Sequence, residues 1–247
     1  MTAIRAAVVG AVVLAAGCAG AGTPAGSGAA SGGAGRITVF AASSLTDAFP
    51  AVAAAYRRTP DGGPARFSFA GSQELVAQIS NGAPADVIAT ADNTTMRRIT
   101  ARLVAPPQTF AHNQLVIVTR PGNPHHIRSL ADLAAPGIVV VLAAPVVPAG
   151  NYAQIALDRA RVHVSPKSLE TDVRGVLTKV ELGEADAGIV YRTDALAAAG
   201  KVHAVPIPDA PTAAYEIGAL DRAGRGFVDF VLSAAGQQVL RRFGFSP

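Results

Sequence analysis

The chain has 247 residues, of which 50% are hydrophobic and 15% are charged, and this composition excludes a disordered chain. Lys and Arg number 21 against 17 Asp and Glu, a net charge of +4 without any basic run, so nucleic acid is not an expected partner. A single Cys excludes both a disulfide framework and a Cys-rich metal site.

The N-terminus has the organisation of an export signal. Arg5 precedes an unbroken apolar run over 6–16, which is shorter than the roughly 20 residues that a bilayer span requires. Small residues directly before Cys18 resemble a bacterial lipobox, in which the Cys is lipidated and becomes the new N-terminus. We therefore expect a signal peptide over 1–17 and a lipid anchor on Cys18. The alternative is an ordinary secretory signal in which this Cys has no role.

A stretch of small residues follows the predicted anchor. Residues 19–35 are only Ala, Gly, Ser, Thr and Pro, so we expect a flexible tether over 18–35, counting Cys18. Its reach of roughly 20–25 Å would hold the folded body, from Arg36 onward, clear of a membrane surface. Export and lipidation together predict a location on the outer, periplasmic face of the bacterial cytoplasmic membrane.

Strand and helix patterns alternate through the body. Short β-branched or apolar runs predict strands, and apolar residues at helical spacing predict helices. This alternation favours an α/β fold with parallel sheets, which bind ligands at the carboxyl ends of their strands. In chain order the predicted elements are strand 37–40, helix 47–58, strand 66–69, helix 73–80, strands 86–89, 115–119 and 138–142, helices 152–161 and 173–182, and strand 188–191.

Small or polar residues occupy four predicted strand-to-helix junctions. Helix N-termini expose unpaired backbone N–H groups and the positive end of the helix dipole, and Ser and Thr hydroxyls add further donors. Several such ends aimed at one point would bind an anion without any basic side chain. Taken singly, Ser44, Thr46 or Ser72 is better explained as a helix cap, and it is the recurrence at four junctions that favours a binding role. The junctions are 40–47, 69–74, 145–151 and 170–175.

An ordered series of motifs runs through nearly the whole body. They are ITVFAASSLT at 37–46, SFAGS at 68–72, GAPADV at 82–87, VPAGNYA at 147–153, DVRG at 172–175 and GIVY at 188–191. Together they resemble bacterial molybdate-binding proteins, the solute-binding subunits of molybdate ABC transporters. The resemblance covers residues 37–245.

The resemblance implies a ligand, a set of contacts and a partner. The ligand is molybdate, with tungstate as a further ligand, so molybdenum enters only as the bound oxyanion, without a direct protein ligand or a cofactor. The partner is the membrane permease of an ABC importer, and the protein itself is a monomer and not an enzyme. In the family two Ser side chains, two backbone amides and one Tyr hydroxyl hold the oxyanion, and these roles fall on Ser44, Ser72, Ala149, Val173 and Tyr191.

Three positions depart from the family pattern near these contacts. Ser43 stands where Ala is common, Gly71 where Ser is common, and Gln73 follows Ser72. These departures leave the binding roles intact and could retune selectivity. Arg174, beside Val173, could pair with Asp172 or brace the site from behind.

The family fold implied by the resemblance is a periplasmic-binding-protein-like fold of type II. Two α/β lobes are joined by a hinge that the chain crosses twice, and the ligand lies in the cleft between them. We expect one lobe over 36–115 plus 212–247 and the other over 116–211.

Rival functions remain open from the residues alone. Sulfate, like molybdate, is a dianion that only accepts hydrogen bonds, so donor counting does not separate the two. Phosphate keeps a proton near neutral pH, and a donor-only site disfavours it. Polyamine and ferric sites need carboxylates or paired Tyr. The other rivals are a surface hydrolase using Ser44 or Ser72, although no G-x-S-x-G motif occurs, and an adhesion lipoprotein.

Overall fold

The computed structural model describes residues 35–247, so the predicted signal peptide, Cys18 and almost all of the tether lie outside the described residues. The strands of the described part are β1 (Ile37–Ala42), β2 (Ala65–Ala70), β3 (Val87–Thr90), β4 (Gln108–Asn113), β5 (Leu115–Thr119), β6 (Val140–Ala143), β7 (Ser168–Glu170), β8 (Ala187–Tyr191), β9 (His203–Pro206) and β10 (Ala213–Ala219). The α-helices are α1 (Ala48–Tyr56), α2 (Ser72–Ser80), α3 (Asn93–Arg97), α4 (Pro148–Ala160), α5 (Val173–Glu181), α6 (Arg192–Ala197), α7 (Arg225–Leu232) and α8 (Ala234–Arg242).

The strands form two separate five-stranded sheets. Their orders are β2-β1-β3-β10-β4 and β7-β6-β8-β5-β9, and we call the parts of the molecule built on them lobe 1 and lobe 2. The chain passes from lobe 1 to lobe 2 between Asn113 and Leu115, and it returns between Pro206 and Ala213. Two crossings therefore join the lobes.

Both sheets are mixed, so the prediction of parallel sheets is wrong in part. β1 pairs in parallel with β2 and β3, and β6 does so with β7 and β8. β10 is antiparallel to β3 and β4, and β5 is antiparallel to β8 and β9. The strands that run against the rest of their sheet are β5 and β10, the first strands after the two crossings. They enter their sheet from the other lobe, so no crossover helix within the sheet imposes a parallel direction on them.

The first sheet is buried on both faces. Phe40 and Ile88 point to one side, where they pack with helix residues such as Leu75. Their strand neighbours Val39 and Ala89 point to the other side and join the main core. Successive side chains of a strand alternate between faces, so continuous apolar runs fit a sheet covered by helices on both sides.

None of the helices in residues 35–247 has the length and hydropathy needed to cross a bilayer.

Helix α4 begins four residues earlier than the sequence pattern predicts. Pro148 occupies its first turn, where the fixed φ of proline suits a helix and its missing N–H costs nothing. Ala149 is therefore the second residue of the helix and not part of a preceding loop.

Candidate anion-binding site

The five predicted site residues line one small cavity between the lobes. Ser44 and Ser72 come from lobe 1, and Ala149, Val173 and Tyr191 come from lobe 2. All five are buried. The fold therefore brings together residues that lie up to 147 positions apart in the chain, each at the end of a strand or in the turn or helix start that follows one.

Three helix N-termini supply backbone donors at this cavity. Ser72 is the first residue of α2, Ala149 is the second of α4, and Val173 is the first of α5. Amides of the first helical turn have no acceptor within their own helix, and the helix dipole makes these ends positive. At the start of α5 the Asp172 carboxylate accepts from the backbone amides of Arg174 and Gly175, at 2.7 and 3.1 Å. This cap does not use the Val173 amide, which stays free.

The two Ser hydroxyls are held from outside the cavity and cap no helix. The Ser72 Oγ accepts from the Ala91 backbone N–H at 3.1 Å, and the Ser44 Oγ lies 2.8 Å from the Tyr215 hydroxyl. No side-chain cap bond is present at the helical turns that contain these residues. The explanation of Ser44 and Ser72 as simple helix caps is therefore wrong. Thr46, by contrast, has only a local role, because its hydroxyl donates to the Ser43 carbonyl at 2.6 Å.

The Tyr191 hydroxyl is buried without a hydrogen-bond partner among the described residues. Its side chain is 1% exposed, so water does not compensate from bulk solvent. Burial raises the pKa of Tyr191 well above its usual value, so the hydroxyl keeps its proton and remains a donor. A buried donor without an acceptor is costly, and buried hydroxyls nearly always have a partner. A ligand with acceptor atoms in the cavity would supply one.

Among residues 35–247 no charged side chain lines the cavity, and a cluster of charged side chains lies beside it. The Arg174 guanidinium forms an ion pair with Asp47 of lobe 1, and its Nε lies 3.3 Å from the Asp194 Oδ1. Burial raises the pKa of Asp194 to about 6, and the Arg174 charge acts against this rise. Of the two sequence-based alternatives, pairing with Asp172 is wrong, because that carboxylate caps α5 while Arg174 reaches across the cleft.

A second contact joins the lobes beside the cavity. The Gln73 Nε2 donates to the Thr171 carbonyl at 2.8 Å. Thr171 and Arg174 flank Val173 in the chain, so both cross-cleft contacts hold the segment that carries one of the amide donors. Within residues 35–247 no cluster of His, Cys, Asp and Glu has the arrangement of a metal site.

Sequence reasoning missed several residues that shape the cavity or hold its donors. Ala91 follows β3 directly, and nothing in the sequence indicated that its backbone amide fixes Ser72. Tyr215 carries no local signal at all, since it is separated from Ser44 by 171 positions. Gly71, in contrast, was noted in the sequence as a departure from the family pattern, and it lines the cavity directly beside Ser72.

The fold and the cavity together define a class of protein: two lobes that enclose a small solute with hydrogen-bond donors. The chain belongs to the family of bacterial extracellular solute-binding proteins, whose family model matches residues 37–246. It is 42% identical over 223 residues to the molybdate-binding protein ModA of Mycobacterium bovis, a match that covers 87% of this chain and 85% of the relative. The resemblance to molybdate-binding proteins is thereby confirmed.

Solved structures show the same fold. The sulfate-binding protein SubI of Mycobacterium tuberculosis superimposes with a TM-score of 0.76 at 22% identity, covering 86% of each chain. The periplasmic molybdate-binding protein of Azotobacter vinelandii gives a TM-score of 0.70 at 18% identity, covering 85% of this chain and 99% of the other. The predicted two-lobed α/β fold is confirmed by these likenesses.

Proposed function

We propose that this protein captures molybdate outside the cytoplasm and delivers it to the membrane permease of an ABC importer, with tungstate as a second ligand. The observation that carries the proposal is the buried Tyr191 hydroxyl, which has no acceptor within residues 35–247 and lines the cavity where three helix N-termini meet. The 42% identity to a protein named for molybdate binding supports the choice of ligand.

The donor set suits an anion that only accepts hydrogen bonds. Molybdate and tungstate are fully deprotonated dianions at neutral pH. Backbone amides at Ala149 and Val173 and hydroxyls at Ser44, Ser72 and Tyr191 offer donors from both lobes. No carboxylate of the described part of the chain lines the cavity, so a protonated phosphate would find no charged acceptor among these residues. Neutral dipoles stabilise the ion without the desolvation penalty of a buried Arg.

Sulfate is the competing ligand on chemical grounds, because it is also an acceptor-only dianion. Its S–O bonds are shorter than Mo–O bonds, so discrimination between the two rests on the fit of the enclosed ion. Phosphate discrimination, in contrast, rests on the balance of donors and acceptors. The two selectivities therefore have separate physical origins and are measured separately.

Binding and release are the function that the site supports, without chemical conversion of the ligand. The hydroxyl oxygens of Ser44 and Ser72 have Tyr215 and the Ala91 amide as partners, and neither partner is a general base. The hydrolase reading needs a base at one of these positions. An adhesion role would leave the converging donors without a purpose.

The proposal includes the architecture around the site. We assign one lobe to 36–115 plus 212–247 and the other to 116–211, with closure of the cleft burying the ion. Signal cleavage after residue 17 and lipidation of Cys18 would tether this monomeric carrier to the outer, periplasmic face of the cytoplasmic membrane, within reach of the permease.

Calorimetric titration of the purified protein tests the proposal. Molybdate, tungstate, sulfate and phosphate are titrated in parallel. We expect tight one-to-one binding of molybdate, weak binding of sulfate and no heat with phosphate. Sulfate binding tighter than molybdate binding would keep the oxyanion site and replace the ligand. Absence of heat with all four ions would contradict an oxyanion carrier.

A further inference from the structure

A buried hydrogen-bond network links the interlobe crossing to the Ser44 hydroxyl. Asn113 ends β4 at the first crossing, and its Oδ1 accepts from the Gln114 backbone N–H at 3.0 Å. This bond fixes which end of the Asn113 amide is the donor. Its Nδ2 then donates to the Thr193 Oγ1 at 2.8 Å and to the Tyr215 hydroxyl at 3.4 Å. Asn113 thus contacts lobe 2 through Thr193 and lobe 1 through Tyr215.

Proton accounting gives this network a direction. The Tyr215 oxygen accepts one hydrogen from Asn113 and lies 2.8 Å from the Ser44 Oγ. If Ser44 donated to Tyr215, the phenolic hydrogen of Tyr215 would have no acceptor, although the side chain is fully buried. An unpaired buried donor is costly, so Tyr215 donates and Ser44 accepts. Burial also raises the pKa of Tyr215 well above its usual value, which keeps the hydrogen in place.

The same polarity holds at the second Ser of the site. The Ser72 Oγ accepts from the Ala91 N–H, so its own hydrogen is left for the cavity. The Ser44 hydrogen is likewise left for the cavity once its oxygen accepts from Tyr215. Both hydroxyls are thereby fixed as donors from behind, one by a backbone amide and one by side chains.

We propose that Asn113 and Tyr215 are positioning residues that hold Ser44 as an obligate donor and so make the site reject oxyanions that carry a proton. This inference rests on the proposed oxyanion function and concerns its selectivity. A hydroxyl that is free to rotate either donates or accepts. Ser44 without Tyr215 would turn its oxygen lone pair toward an anion hydroxyl, and a protonated oxyanion would then be matched. With Tyr215 present, the hydroxyl of a protonated oxyanion faces only hydrogen-bond donors and finds no acceptor.

The cleanest probes are two anions of similar size that differ by a proton. Selenate is an acceptor-only dianion, whereas hydrogen arsenate, the main arsenate species at mildly alkaline pH, carries one hydrogen. Each is used to displace molybdate from the wild-type protein, from Tyr215→Phe and from Tyr191→Phe. Tyr191→Phe is the matched control, because it removes a hydroxyl that lines the cavity and has no partner behind it.

In Tyr215→Phe we expect molybdate affinity to fall about five- to ten-fold, because Ser44 loses the hydrogen bond that orients its hydroxyl as a donor. Hydrogen arsenate should gain relative to selenate by a similar factor. In Tyr191→Phe both anions should weaken in parallel. The proposal is overturned if Tyr215→Phe binds molybdate as tightly as wild type. It is also overturned if hydrogen arsenate gains nothing on selenate, including the case in which it still fails to compete.

A double-mutant cycle separates positioning from general support of the fold. If Tyr215 acts through Ser44, then Ser44→Ala and the double variant Ser44→Ala with Tyr215→Phe should bind molybdate with the same affinity. Additive losses would assign Tyr215 a structural role instead. If the wild-type protein binds no oxyanion, the proposed function itself fails, and that result is distinct from a failure of the Tyr215 inference.

Discussion

Gln73 of lobe 1 donates from its Nε2 to the Thr171 carbonyl of lobe 2 at 2.8 Å, two residues before the Val173 amide. The ion pair between Arg174 and Asp47 holds the other side of the same amide. The segment that contributes this donor is therefore held against lobe 1 by contacts that do not involve the ligand. Such contacts favour the closed arrangement of the lobes, and they should slow ligand release.

Gln73→Ala should weaken molybdate binding a few-fold, through a faster dissociation rate, because one cross-cleft hydrogen bond is worth about 1 kcal/mol. Stopped-flow dissociation and calorimetry measure the two quantities. Gln78→Ala is the matched control, since Gln78 lies exposed on the same helix. Equal dissociation rates in Gln73→Ala and in the control would show that the contact does not hold the cleft closed.

Gly71→Ala should reduce binding more than Gln73→Ala does. A Cβ at position 71 would come within 2.5 Å of the Thr171 carbonyl oxygen and would also meet the Gln73 amide. The backbone of Gly71 has φ −58°, which any residue adopts, and the Gln73 side chain of lobe 1 can swing aside, so the contact that cannot relax is the one with the lobe 2 backbone at Thr171. Thermal unfolding without ligand should therefore change little. A variant with unchanged affinity would mean that the lobes do not need this close approach.

Tyr191→Phe should preserve the fold and cost about 1–3 kcal/mol of binding, because a charged ligand loses one donor. Removing a hydroxyl that has no protein partner should also raise the unfolding temperature of the unliganded protein slightly. Calorimetric titration and thermal unfolding test the two effects. Wild-type affinity in this variant would remove Tyr191 from the site.

Asp194 predicts a specific dependence of stability on pH. Its pKa is raised from 3.8 to about 6 in the folded protein, so the folded state takes up a proton in a range where the unfolded state does not. Protonation of Asp194 therefore increases the free energy of unfolding as the pH falls from about 6 to about 4, by up to about 3 kcal/mol. Above pH about 6 this contribution is absent.

Asp194→Asn keeps an acceptor for the Tyr191 N–H and removes the titrating group. In thermal unfolding between neutral pH and pH about 4, the stability of wild type relative to the variant should increase as the pH falls. Asp158→Asn, an exposed carboxylate on α4, is the control and should follow wild type throughout. A constant difference between wild type and Asp194→Asn would contradict the raised pKa.

Sequence patterns predicted the elements whose signals are local. Every residue of the run Leu115–Thr119 is apolar or β-branched, and the run was predicted as a strand with its observed bounds. Helix α5 begins at Val173 as predicted, since Asp172 caps it. The strand Ala213–Ala219 was missed, because its sequence AAYEIGA has weak strand character and it is stabilised by pairing with strands about 100 positions and more away.

The candidate site was predictable to the same extent. Its donors lie at strand ends and helix starts. Such positions are recognisable in the sequence from their small or polar residues, and the family motifs identify which of these residues contact the ligand. The residues that hold the donors in place have no such local signal. Nothing near Ser44 indicates Tyr215 or Asn113, because those contacts exist only once both crossings between the lobes have been made.

The end of the chain is packed against the network behind the site. Phe245 is buried with its ring centroid 5.4 Å from that of Tyr215, and Ser246 exchanges backbone hydrogen bonds with His112 on β4. The Pro247 carbonyl oxygen lies 2.6 Å from the His112 Nδ1. An affinity tag fused after Pro247 would lie next to the residues that pack against Tyr215, which holds the Ser44 hydroxyl. Purification handles and fluorescent reporters are therefore better placed elsewhere, for example at the exposed turn over 81–82 after α2.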